Sequence, residues 1–297
     1  MGITGLARWI NAPTTGLELI NENILRNHNG QFRSRWQLSV RSYRAMPGAL
    51  LGANPNAERT MCALTMNDNV FVLVDDPYAP TRADIPIPPS GSDATNRLLE
   101  PPHYRNTFLT LNPPGALEQL LALLRARWIS TRQNAQSQSF NKQAISHQLT
   151  IEGNIFAIGN DWIVRAGNVI LAGGAIKGML LEAEYLPVPT MSSEPADKTS
   201  DLLSNLLLSV LPNVRDAKTV AVTISDAQWE DVLWDREEEL NQMQQAGSSD
   251  VDDKADELFT IGDEDVPTHK KGDWVGVDRD RRSAFLIIGA LKSEGLV

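Results

Sequence analysis

Two periods of apolar residues divide this chain into elements: alternation, as on a strand with one buried face, and recurrence every three or four residues, as on a helix. Leu17, Ile20 and Ile24 have helical spacing. Thr15 and Glu18 stand before them at the spacing of a capping box, with Pro13 just upstream, which predicts a helix to about Arg26. In RWQLSVRSYR, Trp36, Leu38 and Val40 alternate with Gln37, Ser39 and Arg41, a half-buried strand. MCALTM and VFVLVDD predict two more strands, joined through the turn residues Asn67, Asp68 and Asn69. From Ile145 to Pro187 one strand follows another, with turns at Gly159–Asp161 and at Gly173-Gly174. These runs are apolar on both faces, as in a curled sheet or barrel. Asp201 to Leu211 predicts a helix with Leu203, Leu206, Leu207 and Val210 on one face, ended by Pro212.

Between these elements the pattern breaks. Nine of the seventeen prolines fall between Pro77 and Pro114, which predicts a long surface loop outside the sheet. Asn112-Pro113 reads as the cap and first position of a helix presenting Leu117, Leu120, Leu121, Leu124 and Trp128. Ser225 and Gln228 open a further helix through Trp229, Val232 and Leu233, which turns acidic at DREEEL. The predicted organisation is a barrel-like domain over residues 1–240 that includes the 77–114 loop, an acidic linker over 241–270, and a docked segment over 271–297. The fold class is α+β, mainly antiparallel β: a curled two-sheet, barrel-like domain with flanking helices.

Charge sharpens this division. The chain has 297 residues and a formal net charge of −10. Fifteen Asp and Glu stand against Arg236 and Lys254 between Asp226 and Asp265, a local net of −13 that leaves the other residues at +3. Such runs are usually solvated and only sometimes dock a basic partner. No basic stripe favours direct binding of nucleic acid. The single cysteine, Cys62, rules out an intrachain disulfide and suits a reducing compartment. No apolar run approaches the ~20 residues of a membrane span, and the N-terminus lacks the apolar core of a secretion signal. The expectation is a soluble intracellular protein.

One stretch, GNVILAGGAIKGMLLEAEYLP from Gly167 to Pro187, offers candidate chemistry. Its glycines around Lys177 suggest a phosphate-gripping loop, but a Walker loop needs Gly-Lys-Ser/Thr at the start of a helix. Here Ile176 and Gly178 flank the lysine and a strand follows, so Gly173 and Gly174 read as turn residues. Glu182 and Glu184 share one side of that strand. A carboxylate pair facing into a barrel could hold a divalent cation, as in metal-dependent triphosphate tunnel enzymes with their Glu-x-Glu-x-Lys signature. The lysine position is Leu186, and no second acidic pair completes a metal cage. Solvent-facing glutamates opposite Met179, Leu181, Ala183 and Tyr185 are the simpler account. His28, His103, His147 and His269 have no metal-ligand spacing, and Cys62 reads as a small buried apolar residue. No catalytic residue, cofactor site or metal site is assigned, which favours a binding role over an enzyme.

The order of elements resembles a known family. Met1-Gly2-Ile3-Thr4, a helix, a strand ending near Tyr43, the hairpin to Asp75, then Trp162-Ile163-Val164-Arg165-Ala166-Gly167 followed by Gly178 and Glu182-x-Glu184-Tyr185 are similar to Mediator complex subunit 20 in a fungal form. The resemblance runs from about Met1 to Glu239, and these motifs are structural rather than catalytic. It implies a barrel-like fold distantly similar to the triphosphate tunnel, without its chemistry. It also implies a nuclear, non-enzymatic subunit of the Mediator head module. That subunit pairs with the similarly folded subunit 18, hangs from the head through a helix of subunit 8, and helps couple activators to RNA polymerase II and the TATA-binding protein. The alternative is a metal-dependent phosphohydrolase of tunnel type. Candidate partner contacts are Trp162, Val164 and Tyr185 on the strands, where edges would otherwise stay unpaired, and Phe285, Ile288 and Leu291 in the C-terminal segment.

Overall fold

The computed structural model describes residues 3–45, 59–81, 84, 103–124, 128–130, 148–187, 201–212, 218–222 and 276–297. The predicted helix at 225–239 and linker at 241–270 lie outside the described residues, as does the middle of the proline-rich stretch. The strands are β1 (Ile3–Trp9), β2 (Gln31–Ala45), β3 (Thr60–Met66), β4 (Asn69–Asp75), β5 (Asn106–Leu111), β6 (Trp128–Ser130), β7 (Gln148–Ile158), β8 (Trp162–Ile170), β9 (Ile176–Tyr185) and β10 (Thr219–Val222). The helices are α1 (Gly16–Asn27), α2 (Ala116–Leu123), α3 (Asp201–Val210) and α4 (Gly276–Ser293).

All ten strands join one antiparallel sheet in the order β10-β1-β9-β8-β7-β2-β3-β4-β5, with β6 paired to β2 off this path. The sheet is not closed: β10 and β5 end it. The fold is thus α+β and mainly antiparallel β, the class that strand alternation and length pointed to.

Both faces of the sheet are covered, which explains strands that are apolar throughout. One face carries Leu6, Trp36, Leu38, Val40, Leu64, Phe71, Phe108, Ile151 and Leu180, packed against Phe285, Ile288 and Leu291 of α4. This is called the inner face below. On the opposite face, Trp9, Phe156, Val164, Ala166, Met179 and Leu181 pack against Ile20 and Ile24 of α1 and Leu203, Leu207 and Val210 of α3. A third cluster sets Leu117 of α2 against Tyr43, Met61, Ala63, Val70 and Val72. Inner and outer residues alternate along each strand as the pleat requires.

Close approach is needed at one cross-strand pair. A Cβ on Gly153 would lie 1.8 Å from the Ala166 carbonyl oxygen. Gly153 faces Gly167 in register, and Trp36, paired to Gly153 across β2, packs over the gap that the two glycines leave.

Several expectations are corrected. The stretch 77–114 is not wholly loop: Asn106–Leu111 forms β5, pairing with β4 along its length. Proline is missing from this segment, so every residue of β5 can donate to the ladder. The following helix starts at Ala116 rather than Pro113, after a cis Asn112-Pro113 peptide. The Asn112 side chain does not cap it but donates to the Asp68 carbonyl at 3.1 Å. Of the face predicted for that helix only Leu117 is fully buried, Leu120 and Leu124 are exposed, and Trp128 lies on β6. Thr15 precedes α1 but makes no side-chain capping bond. β1, β6 and β10 had no counterpart in the sequence reading.

Candidate functional site

The stretch with the glycines and the paired glutamates is two strands and the turn between them. β8 ends at Ile170 and β9 starts at Ile176. Gly174 occupies the turn with φ +81° and donates its N–H to the Leu171 carbonyl at 2.8 Å. Lys177 is exposed on β9. No helix begins here, so there is no N-terminal dipole for a phosphate.

Glu182 and Glu184 are not solvent-facing. They are 0% and 4% exposed, on the inner face beneath α4. The simple alternation argument fails on β9 because Gly178 to Glu184 are buried without a break. Buried carboxylates persist as charges only when paired and hydrogen-bonded, and the structure supplies the pairs. Arg165 stands opposite Glu182 in the β8–β9 register. Its Nη1 donates to Glu182 Oε1 at 2.6 Å and its Nη2 to Glu184 Oε2 at 3.0 Å. From α4, Arg279 Nη2 donates to Glu182 Oε1 at 3.2 Å, while its Nε makes a charge contact with Glu184 Oε2 at 2.9 Å. Ser283 Oγ donates to Glu182 Oε2. Both Glu182 oxygens are therefore occupied, and two arginines hold the pair, one from β8 and one from α4.

More charge surrounds this clamp. Arg282, near Glu182, is pushed down to about 10 by burial while the carboxylate pulls it up, so it stays cationic at neutral pH. Arg8 of β1 is buried and pairs with Glu294 just beyond α4, and this bond holds the Glu294 carboxyl below the usual range. Lys292 Nζ reaches Asp75 Oδ2 of β4 at 2.8 Å, and Arg281 Nη2 reaches the Phe108 carbonyl of β5 at 2.9 Å. The Arg281 guanidinium also lies 5.5 Å from the Phe108 ring centroid. Helix α4 is thus tied to β1 and β9 on one side and to β4 and β5 on the other, bridging the two ends of the open sheet.

This arrangement recognises a helix. It is a poor metal site: among the described residues no group of three or more His, Cys, Asp or Glu is placed to hold an ion. Cys62 is buried on the inner face, and burial raises its thiol to about 12, far from a thiolate nucleophile. A third buried carboxylate, Asp76, sits elsewhere, with Arg59 Nε at 2.6 Å and His103 Nε2 at 2.7 Å. Burial would raise it, but the bonds from His103 and the Tyr78 N–H, with the Arg59 charge, hold it below the usual range.

The candidate contact residues divide. Phe285, Ile288 and Leu291 lie between α4 and the sheet, and Val164 is fully buried under α1 and α3. Trp162 and Tyr185 are half-buried, paired across β8 and β9, with ring centroids 4.6 Å apart. Arg165, Arg279 and Ser283 are site residues that the sequence pattern does not mark. An arginine within the apolar run WIVRAGNVI was the one available signal; the α4 partners become visible only once the topology places α4 on β9.

Solved structures similar to the chain include the PH1819 protein from Pyrococcus horikoshii OT3, 10% identical, covering 71% of this chain and 88% of that one with TM-score 0.31. Another is a putative adenylyl cyclase from Hippeastrum, HpAC1, with a dominant triphosphatase activity: 8% identity, 73% and 93% coverage, TM-score 0.33. The inorganic triphosphatase NE1496 is 8% identical over 63% and 74%, with TM-score 0.23. Among curated proteins, none matches the chain. No helix among the described residues is long and apolar enough to cross a membrane. Residues 1–245 match the Med20 family, the TATA-binding related factor (TRF) of subunit 20 of Mediator complex, and the chain belongs to that family.

Proposed function

We propose that the protein is a non-catalytic structural and regulatory subunit of the Mediator head module, acting in the nucleus as a heterodimer with subunit 18. Through that pair, and indirectly through subunit 8, it couples activators to RNA polymerase II and the TATA-binding protein. The observation that carries this reading is the family match across residues 1–245, which spans the sheet and helices α1 to α3. The geometry agrees with a scaffold. Glu182 and Glu184, the pair on which a tunnel-type phosphohydrolase would depend, are engaged through both Glu182 oxygens and Glu184 Oε2 by Arg165, Arg279 and Ser283 under a packed helix.

Trp162 and Tyr185 are the partner contacts this reading favours, since they are the half-buried aromatics among the candidates and aromatic side chains anchor interfaces. The test is affinity purification from nuclear extract with mass spectrometry, comparing the intact chain with Trp162→Ala/Tyr185→Ala. Recovery of head subunits led by subunit 18, weakened in the double variant, is the expected outcome. A chain that purifies alone would overturn the assignment to the complex. Equal recovery by both proteins would remove these two residues from the interface.

A further inference from the structure

The inner face is built in one part of the chain and filled by another. Its walls come from β1 to β9, inside the region that matches the family, whereas α4 at Gly276–Ser293 lies beyond the end of that match at 245. Residues 223–275 separate β10 from α4 along the chain, so α4 reaches its seat only as the distal end of a long connection.

The contact between them has the composition of an interface. Its centre is apolar and aromatic, with Phe285 edge-on to Phe108 at 5.4 Å and Ile287, Ile288 and Leu291 fully buried. Around that centre lie directional charged contacts: Arg279 and Ser283 on Glu182 and Glu184, Lys292 on Asp75, and Glu294 on Arg8. Arg279 and Ser283 are four residues apart, one helical turn, so both meet Glu182 from one face of α4. A helix that is rotated, or that carries no cation at this position, leaves two buried carboxylates sharing Arg165 alone among these donors. That penalty makes the face selective.

We propose that the inner face is a binding groove for a helix that is basic in its first half and apolar on all sides in its second, that α4 is its tethered ligand rather than a fixed wall of the sheet, and that Glu182 and Glu184 read the arginine and serine that set the helix register. The groove then exists in a filled and an open state. Covalent attachment makes filling intramolecular and hence the dominant state of the isolated chain. Opening uncovers an apolar surface with an acidic mark, fitted to the same class of helix presented from outside. This inference is independent of which complex the protein joins.

The test uses the full chain with a protease site inserted between Gly247 and Ser248, cut to completion after folding. The C-terminal piece stays with the sheet through gel filtration. A fluorescent synthetic peptide of residues 274–297 replaces it within hours, while amides of β7 and β8 remain protected from hydrogen exchange. A peptide carrying Arg279→Gln and Ser283→Ala competes roughly a hundredfold less well, the scale expected when one partner of a buried pair is removed. Because the changes sit in the peptide, the folding of the sheet is untouched. Incorporation only when β7 and β8 also lose protection would show that α4 is an inseparable part of the core and overturn the proposal. Equal competition by both peptides would overturn the register code, and loss of the cut piece during filtration would overturn the groove itself.

Discussion

Glu182 shows what a single residue asks of this fold. Its carboxylate is wholly removed from water and accepts from Arg165, Arg279 and Ser283. Removing one partner from such a network costs about 3–5 kcal/mol, because the charges left behind stay buried. Glu182→Gln keeps the shape and one acceptor but leaves Arg165 with Glu184 as its carboxylate partner, while Arg279 keeps Glu184 and Asp280. We expect it to lose about that much stability, measured as a lower midpoint in urea with an unchanged slope. A loss below ~0.5 kcal/mol would show that the arginines find other acceptors. The sequence made Glu182 and Glu184 visible as a pair on one side of a strand, and that pairing is correct. Which side was not legible, since Met179, Leu181 and Ala183 on the opposite face are as apolar as a core requires and are in fact core. On a strand covered on both faces, alternation separates two sets of residues without telling which one meets a solvated surface. The buried arginine at 165 carried the missing information: a cation within an apolar run needs a carboxylate partner nearby.

At the scale of elements, the legible ones have a clear period: α1, α3, β2, β3, β4 and the β7–β9 succession. β5 was hidden by the prolines around it, β10 by its brevity, and β1, as long as β3 and β4, by the small or polar residues Thr4 and Gly5. Helix α4 shows a subtler limit. Phe285, Ile288 and Leu291 mark an apolar face, yet Ala284, Leu286, Ile287 and Ala290 are buried as well. Its second half is therefore surrounded, which accords with a helix seated inside a curled sheet. Energetically α4 ranks with the strands it covers. Phe285→Ala removes a ring that is 7% exposed and packed on Phe108, and a loss of about 3–5 kcal/mol is expected. Val277→Ala, at a position 49% exposed on the first turn of the same helix, should stay within ~0.5 kcal/mol. Thermal denaturation of the two variants beside the parent checks both, and similar values for the pair would mean that α4 carries little of the stability.

At the scale of the whole molecule, the open sheet and its bridging helix decide where the structure yields first. Strands β8 and β9 lie deep in the sheet, flanked on both sides by partners, and Val164, Ala166, Leu180 and Leu181 are all fully buried. The order ends at β10 and β5, each with one hydrogen-bonded neighbour. β10 spans only Thr219–Val222, and Val220 is 44% exposed. Local opening follows such differences, because an edge strand gives up fewer bonds and less buried surface than a central one. Hydrogen exchange followed by mass spectrometry should therefore find amides of Val164 and Ala166 among the slowest in the chain, with those of β10 exchanging orders of magnitude faster. The amides of β5 should lie between the two, since Phe108 is held by Phe285 and the Phe108 carbonyl by Arg281, two contacts from α4 that β10 does not share. The variant Phe285→Ala separates two accounts of the curl. If strand pairing alone maintained it, that substitution would leave exchange in β5, like that in β10, unchanged. If α4 holds the far edge in place, Phe285→Ala should raise exchange in β5 more than in β10, while β8 stays protected.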